Sequence, residues 1–130
     1  MHEFSICSAL LEQVAALAGK RGASAVQRIT IEVGPLSGVD PGLLQAAFAV
    51  LRTGSCSAGA NLFIDTPPVR IRCMACGAES ITPPNRLACA QCGSFRSRIV
   101  EGDELRLRRV EMSVPALPPK QTVRSAASIH

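Results

Sequence analysis

The sequence predicts an α+β domain with two helices on a small, mostly antiparallel three-stranded sheet, plus an inserted four-cysteine lobe. Three observations carry that expectation. Apolar stripes at helical spacing occur over residues 2–19 and again after Asp40. Short runs of strand-like period occur over 25–33, 60–66 and 104–112. Two C-x-x-C-Gly knuckles, Cys73-Met74-Ala75-Cys76-Gly77 and Cys89-Ala90-Gln91-Cys92-Gly93, fall between the second and third of those runs.

The first helix takes its stripe from Phe4, Cys7, Leu10, Leu11, Val14, Leu17 and Ala18, which recur three and four residues apart. Gly19, Lys20, Arg21 and Gly22 supply its stop. Cys7 lies within the stripe and reads as a small buried hydrophobe rather than a ligand. In the first strand Ile29, Ile31 and Val33 alternate with Arg28, Thr30 and Glu32, so one face is dry and the other wet. The run Gly34-Pro35-Leu36-Ser37-Gly38 breaks it and matches no phosphate-binding fingerprint.

Asp40 before Pro41 is an N-cap with proline at the first helical position. Leu43, Leu44, Ala47, Phe48 and Leu51 give the second helix its predicted apolar face, and Gly54 ends it. Cys56 follows in a Ser/Gly-rich turn and reads as a plain loop thiol. Leu62 and Ile64 point inward from the second strand, and Pro67-Pro68 forms a stiff exit from it. In the third, Leu105 and Leu107 are out of phase with Val110 and Met112. A one-residue bulge near Arg108-Arg109 would return all four to one face.

The domain is therefore expected to be discontinuous, with residues 1–66 completed by the strand at 103–112 and the lobe at 67–102 inserted between them. After Met112, residues 113–130 bring Pro115, Pro118 and Pro119 and no regular period, which predicts a disordered tail. A lone histidine at its end, His130, carries no metal assignment.

Composition narrows the functional classes. Of the 130 residues 47% are hydrophobic, enough for a packed core, yet only four are aromatic, all Phe. No apolar run approaches the about 18 residues of a membrane span. The N-terminus lacks a basic region and carries Glu3, Glu12 and Gln13, unlike a secretory signal, so a cytoplasmic setting is expected. There, six cysteines argue for metal rather than disulfides.

Two knuckles close a tetrahedral four-thiolate shell, the geometry zinc prefers. Cys73, Cys76, Cys89 and Cys92 are thus the expected ligands of a structural Zn(II) in a zinc-ribbon-like lobe. A shell of four thiolates leaves no open position, so no catalysis is expected there. Bound thiolates and zinc would lower the formal charge from +4 to +2, a weak case for nucleic acid. Arg70, Arg72, Arg86, Arg96 and Arg98 crowd the lobe and are expected to solvate it and offset the charge of the cysteine site. A zinc-ribbon module binding nucleic acid is the alternative, but only Phe95 offers a stacking surface there.

The order of motifs is itself informative. Met1-His2-Glu3-Phe4-Ser5-Ile6-Cys7 opens the chain. Ile31-Glu32-Val33-Gly34-Pro35-Leu36-Ser37-Gly38-Val39 follows, then Ala46-Ala47-Phe48 and Gly59-Ala60-Asn61-Leu62. The two knuckles come next, with Ser94-Phe95, and finally Gly102-Asp103-Glu104-Leu105. Over residues 1–112 this resembles the HypA/HybF family of hydrogenase nickel-insertion proteins. The second knuckle has Ala90 where many members have proline, which removes no ligand.

The resemblance implies a metallochaperone rather than an enzyme. Its cargo would be Ni(II), held by Met1, His2 and Glu3 and delivered for maturation of [NiFe] hydrogenase, in some organisms urease. It implies a HypB-type GTPase, the hydrogenase large-subunit precursor and urease accessory proteins as partners, with neither nucleic acid nor membrane. Oligomeric state, a homodimer included, stays open.

An N-terminal Met-His offers the α-amine of Met1, the amide of His2 and an imidazole nitrogen. These close five- and six-membered chelate rings, a planar nitrogen set suited to Ni(II) or Cu(II). The Glu3 amide or carboxylate, or a group from elsewhere, would complete the plane. Amine and amide must lose protons on binding, so acid should release the metal.

Overall fold

The computed structural model describes residues 2–114, 121–124 and 128–129. Helix α1 (His2–Lys20) and strand β1 (Ala25–Val33) lead to helix α2 (Pro41–Leu51) and strand β2 (Asn61–Asp65). The lobe follows with β3 (Val69–Cys73), β4 (Glu79–Thr82) and β5 (Ser97–Glu101). The chain returns through β6 (Leu105–Ser113), β7 (Gln121–Arg124) and β8 (Ser128–Ile129).

The main sheet runs in the order β2-β1-β6-β7, with β8 also on β6. β1 and β2 are parallel, and β1 and β6 antiparallel. Its dry face follows the alternation in the sequence: Ile29, Ile31 and Val33 are fully buried or nearly so. Leu10 and Val14 of α1 and Leu44 and Phe48 of α2 join them in one core. The lobe is a second sheet, β4-β3-β5, antiparallel throughout. It was not foreseen as strands, because the sequence pattern there is dominated by the knuckles.

The bulge in β6 is real. Thr30 pairs with Arg109 and Ile31 with Leu107, so Arg108 is the extra residue. The phase change buries Leu105, Leu107, Val110 and Met112 together, each at 1% exposure or less. A second irregularity sets Gln27 between the Val26–Met112 and Arg28–Glu111 pairs.

Two expectations are corrected. Leu43 was placed on the apolar face of α2, but it is 47% exposed, because Leu44, Ala47 and Phe48 face the core and the first turn leaves Leu43 outside. A disordered tail was expected over residues 113–130, of which the structure describes 113–114, 121–124 and 128–129. Instead β6 continues to Ser113, Val114 is buried, and β7 and β8 pair with β6. Ladder bonds are made by backbone, so a short strand can form without the apolar period that a sequence reading seeks. His130 lies outside the described residues.

α2 also protects the edge of the sheet. Gln45 Nε2 donates to the Leu62 carbonyl at 2.8 Å, and Arg52 Nη1 donates to the Ala60 carbonyl at 2.9 Å. These side chains occupy outward acceptors on and beside edge strand β2, which would otherwise invite a foreign strand. Among the described residues, no helix is long and apolar enough to cross a membrane.

The lobe leaves and rejoins the domain at one crossing. The Gly34 N–H donates to the Glu104 carbonyl at 2.9 Å, and the Leu36 N–H to the Gly102 carbonyl at 2.8 Å. A Cβ on Gly34 would overlap the Gly102 carbonyl, and Gly102 itself has φ of 111°. Both glycines are needed for that approach.

Candidate metal centres

The two knuckles are built alike. In the first, the Gly77 N–H donates to the Cys73 carbonyl at 3.0 Å, and the Cys73 N–H to the Ala78 carbonyl at 2.8 Å. In the second, the Gly93 N–H donates to the Cys89 carbonyl at 2.9 Å, and the Cys89 N–H to the Ser94 carbonyl at 2.9 Å. Gly77 and Gly93 have φ of 79° and 76°, the left-handed turn that lets the second thiol of each pair fold back. Backbone N–H groups of Ala75 and Cys76 point at Cys73 Sγ, at 3.3 and 3.4 Å, and that of Gln91 points at Cys89 Sγ at 3.3 Å.

The four sulfurs lie within 4.8 Å of one another. Cys73 and Cys92 sulfurs are 3.6 Å apart, as are those of Cys76 and Cys89. A tetrahedral zinc thiolate site with bonds near 2.3 Å has sulfur–sulfur edges of about 3.8 Å. The donor set therefore fits one tetrahedral metal ion. Cys73 and Cys89 are buried and Cys76 and Cys92 exposed.

The amides also set the charge pattern of the thiols. The Cys76 N–H, helped by that of Ala75, pulls Cys73 down to about 6. The Cys92 and Gln91 N–H groups lower Cys89. Cys76 receives a lowering contribution from Ala78, but its contact with the Cys89 sulfur and its desolvation outweigh it, raising the thiol to about 12. Contact with Cys73 and desolvation likewise raise Cys92, against a lowering bond from Ser94. Each knuckle thus pairs a thiol whose ionisation its amides favour, Cys73 or Cys89, with one whose ionisation is opposed, Cys76 or Cys92.

The N-terminal residues occupy a different place. His2 begins α1 with a 61% exposed side chain, whereas Glu3 is turned inward and is only 11% exposed. Glu3 Oε2 accepts from the Asp40 N–H at 3.0 Å and lies 3.7 Å from His2 Nδ1. The Asp40 N–H, followed by the residue's own N–H, holds the Glu3 carboxyl below the usual carboxylate range. Asp40 meanwhile caps α2, its Oδ1 accepting from the Leu43 N–H at 3.1 Å. Met1 lies outside the described residues.

The inward turn of Glu3 was not legible in the sequence. An acidic residue in a first helical turn reads as a response to the helix dipole, and its partner is 37 residues away. The other two cysteines are not part of the four-sulfur cluster. Cys7 is fully buried in the core and its thiol is raised to about 11 by desolvation. Cys56 is partly buried at the rim of the core.

A two-layer α/β domain with an exposed histidine at the start of its first helix, interrupted by a four-cysteine ribbon, defines a small metal-binding protein. Residues 1–112 match the family described as "Hydrogenase/urease nickel incorporation, metallochaperone, hypA", and the chain belongs to that family, whose members are chaperones rather than enzymes. It is 44% identical over 112 residues to the hydrogenase maturation factor HypA of Nitrosospira multiformis, covering 86% of this chain and 97% of that protein. Over 114 residues it is 35% identical to the HypA of Aquifex aeolicus, covering 88% and 99%. Among solved structures it resembles that of the Ni metallochaperone HypA from Helicobacter pylori. The TM-score is 0.67 at 28% identity, over 86% of this chain and 97% of the other.

Proposed function

We propose that the chain binds Ni(II) through Met1, His2 and Glu3 and delivers it for maturation of [NiFe] hydrogenase or urease. The observation that carries this reading is the position of His2. The first four N–H groups of a helix have no intrahelical partner. The His2 amide is therefore not needed by the helix and can lose its proton to a metal. The positive end of the helix dipole favours that loss. The imidazole stands in solvent beside it. Glu3 serves in this reading by its carboxylate, held as an anion 3.7 Å from His2 Nδ1. It orients the ring or joins the metal once the ring turns.

Zn(II) at Cys73, Cys76, Cys89 and Cys92 has a structural role in this proposal, since four thiolates leave no position for substrate. A HypB-type GTPase and the hydrogenase large-subunit precursor are the partners between which the nickel passes. The nucleic-acid alternative has one exposed ring to build on in the lobe, Phe95 with Arg86 5.4 Å from its centroid, where single-strand binders stack bases on several.

The test is a nickel titration of the untagged chain beside His2→Ala. One Ni(II) per chain is expected for the parent and none for the variant, with zinc content the same in both. A residue added ahead of Met1 should have the same effect, because the chelate needs the α-amine next to His2. Equal nickel uptake by all three proteins would sink the site.

A further inference from the structure

The lobe sheet has an outward face that metal binding does not use. In β3 the side chains of Val69, Ile71 and Cys73 are buried, and those of Arg70 and Arg72 face out. The guanidinium groups therefore stand on the opposite face from the Cys73 sulfur. Arg70 and Arg72 thus face solvent rather than the sulfurs, as side chains that solvate the lobe would. Across the sheet, Arg72 has Glu79 directly opposite on β4 and Arg98 directly opposite on β5. Arg72 Nη2 bonds Glu79 Oε2 at 2.6 Å, and Arg70 lies 4.0 Å from Glu101. Arg96 and Arg98 are exposed, and among the described residues neither forms an ion pair.

Two like charges opposed across a ladder cost stability. The fold keeps Arg98 opposite Arg72 even though the carboxylate of Glu79 lies on the far strand. Apolar side chains stand among these charges: Met74 is 57% exposed, Ile81 62% and Val100 43%. The Met74 N–H donates to the Arg96 carbonyl at 2.7 Å, extending the β3–β5 pairing past Cys73. Arginines and a bulge at Val100 would serve to blunt edge strand β5. Edge protection does not account for the exposed Met74, which lies within the first knuckle just past β3, or Ile81, which is on the other edge.

We propose that this face docks an acidic segment of a partner protein, with carboxylates meeting Arg96 and Arg98 and an apolar side chain meeting Met74. An unmatched positive pair beside exposed thioether and aliphatic surface is complementary to alternating acidic and apolar residues. A nucleic acid would use the same cations but is gripped by several stacking rings, and Phe95 is the one aromatic side chain between residues 67 and 102. The surface is separate from His2, so it stands or falls independently of the nickel reading.

The experiment uses the full chain with its metal bound and a short fluorescein-labelled peptide rich in glutamate with interspersed leucine. Fluorescence anisotropy is measured at low and at moderate salt. Saturable binding is expected, weakened by salt, and weakened about tenfold or more by Arg96→Glu with Arg98→Glu. Met74→Ser should weaken it less, without changing its salt dependence. Arg98→Glu alone places opposite charges across the ladder, so the lobe should melt no lower than the parent's while binding falls. That combination separates lost docking from lost folding. Equal peptide affinity for parent and double variant, or no saturable binding, overturns the proposal. So does a single-stranded oligonucleotide that binds more tightly than the peptide and is lost in the same variant.

Discussion

The carboxylate of Glu3 accepts the backbone N–H of Asp40 at 3.0 Å, joining the first turn of α1 to the cap of α2. Both helices thereby start from one fixed corner of the domain, and the residue after His2 is locked in place. Because the bond favours the charged carboxylate, its contribution to stability is present above the ordinary carboxylate pKa. It is lost as pH falls through the lowered folded value. Urea midpoints measured from pH 7 down to pH 3 should therefore fall more steeply for the parent than for Glu3→Gln. Parallel curves would mean that the Asp40 bond does not hold in solution.

Gly34 and Gly102 make the second prediction. Gly34→Ala drives a methyl group into the Gly102 carbonyl, which is backbone and cannot step aside. Steric faults of this kind typically cost about 1–3 kcal/mol. A lowered urea midpoint is expected. Amide spectra should change at Leu36 and Glu104, whose backbone bonds cross the same point. An unchanged midpoint would show that the crossing relaxes freely.

The thiols outside the knuckles should behave oppositely. Cys7 is fully buried with its thiol raised to about 11, whereas Cys56 is partly exposed. With metal bound, a thiol reagent should modify Cys56 in the folded protein and Cys7 only on unfolding. The unfolded chain ionises Cys7 near its ordinary value of about 9 and the folded one does not. Stability should therefore decline as pH rises from about 9 to about 11, and Cys7→Ala should remove that part of the decline. Rapid labelling of Cys7 in the native state would contradict the packing.

How much of this was legible in the sequence depended on range. Ile29, Ile31 and Val33 announce their strand because the period is local, and the bulge at Arg108 was legible because Leu105 and Val110 are out of phase. The Cys-x-x-Cys pairs carry their geometry in their spacing. The Glu3–Asp40 bond and the Gly34–Gly102 approach were not legible, since each joins residues whose neighbours give no sign of the other. β7 and β8 were missed for a related reason: what pairs them with β6 is backbone, which every sequence has. His2 was notable only through the family resemblance, since one histidine near a terminus carries no spacing to read.

Gln45 and Arg52 give a prediction about association. Their bonds to the Leu62 and Ala60 carbonyls occupy the open edge at β2. Gln45→Ala with Arg52→Ala would cost about 1 kcal/mol per bond and leave those acceptors to solvent or to another chain. Sedimentation velocity at increasing concentration should show self-association in the double variant beyond that of the parent. Identical profiles would mean that solvent alone guards this edge.

Removal of metal from the cysteine cluster should separate the two sheets. The main core gathers side chains from both helices and from β1, β2 and β6. The lobe buries chiefly Val69, Ile71, Cys73 and Cys89, and none of these belongs to the main cluster. So small an apolar core does not offset the entropy of ordering three strands and two turns. A metal ion held by the four cysteines would supply the difference, and its binding would be coupled to lobe folding. A chelator strong enough to strip zinc should therefore collapse the amide dispersion of residues 69–101 while β1 and β6 keep theirs. Cys76→Ser, which removes an exposed candidate ligand and leaves the buried pair Cys73 and Cys89 intact, should show the same pattern with metal present. The nickel uptake proposed for His2, if the proposal holds, should survive both treatments, because the bond between Glu3 and Asp40 joins α1 to α2 and uses no residue of the lobe. Loss of the main sheet along with the lobe would instead mean that the metal supports the whole domain through the Gly34–Gly102 crossing.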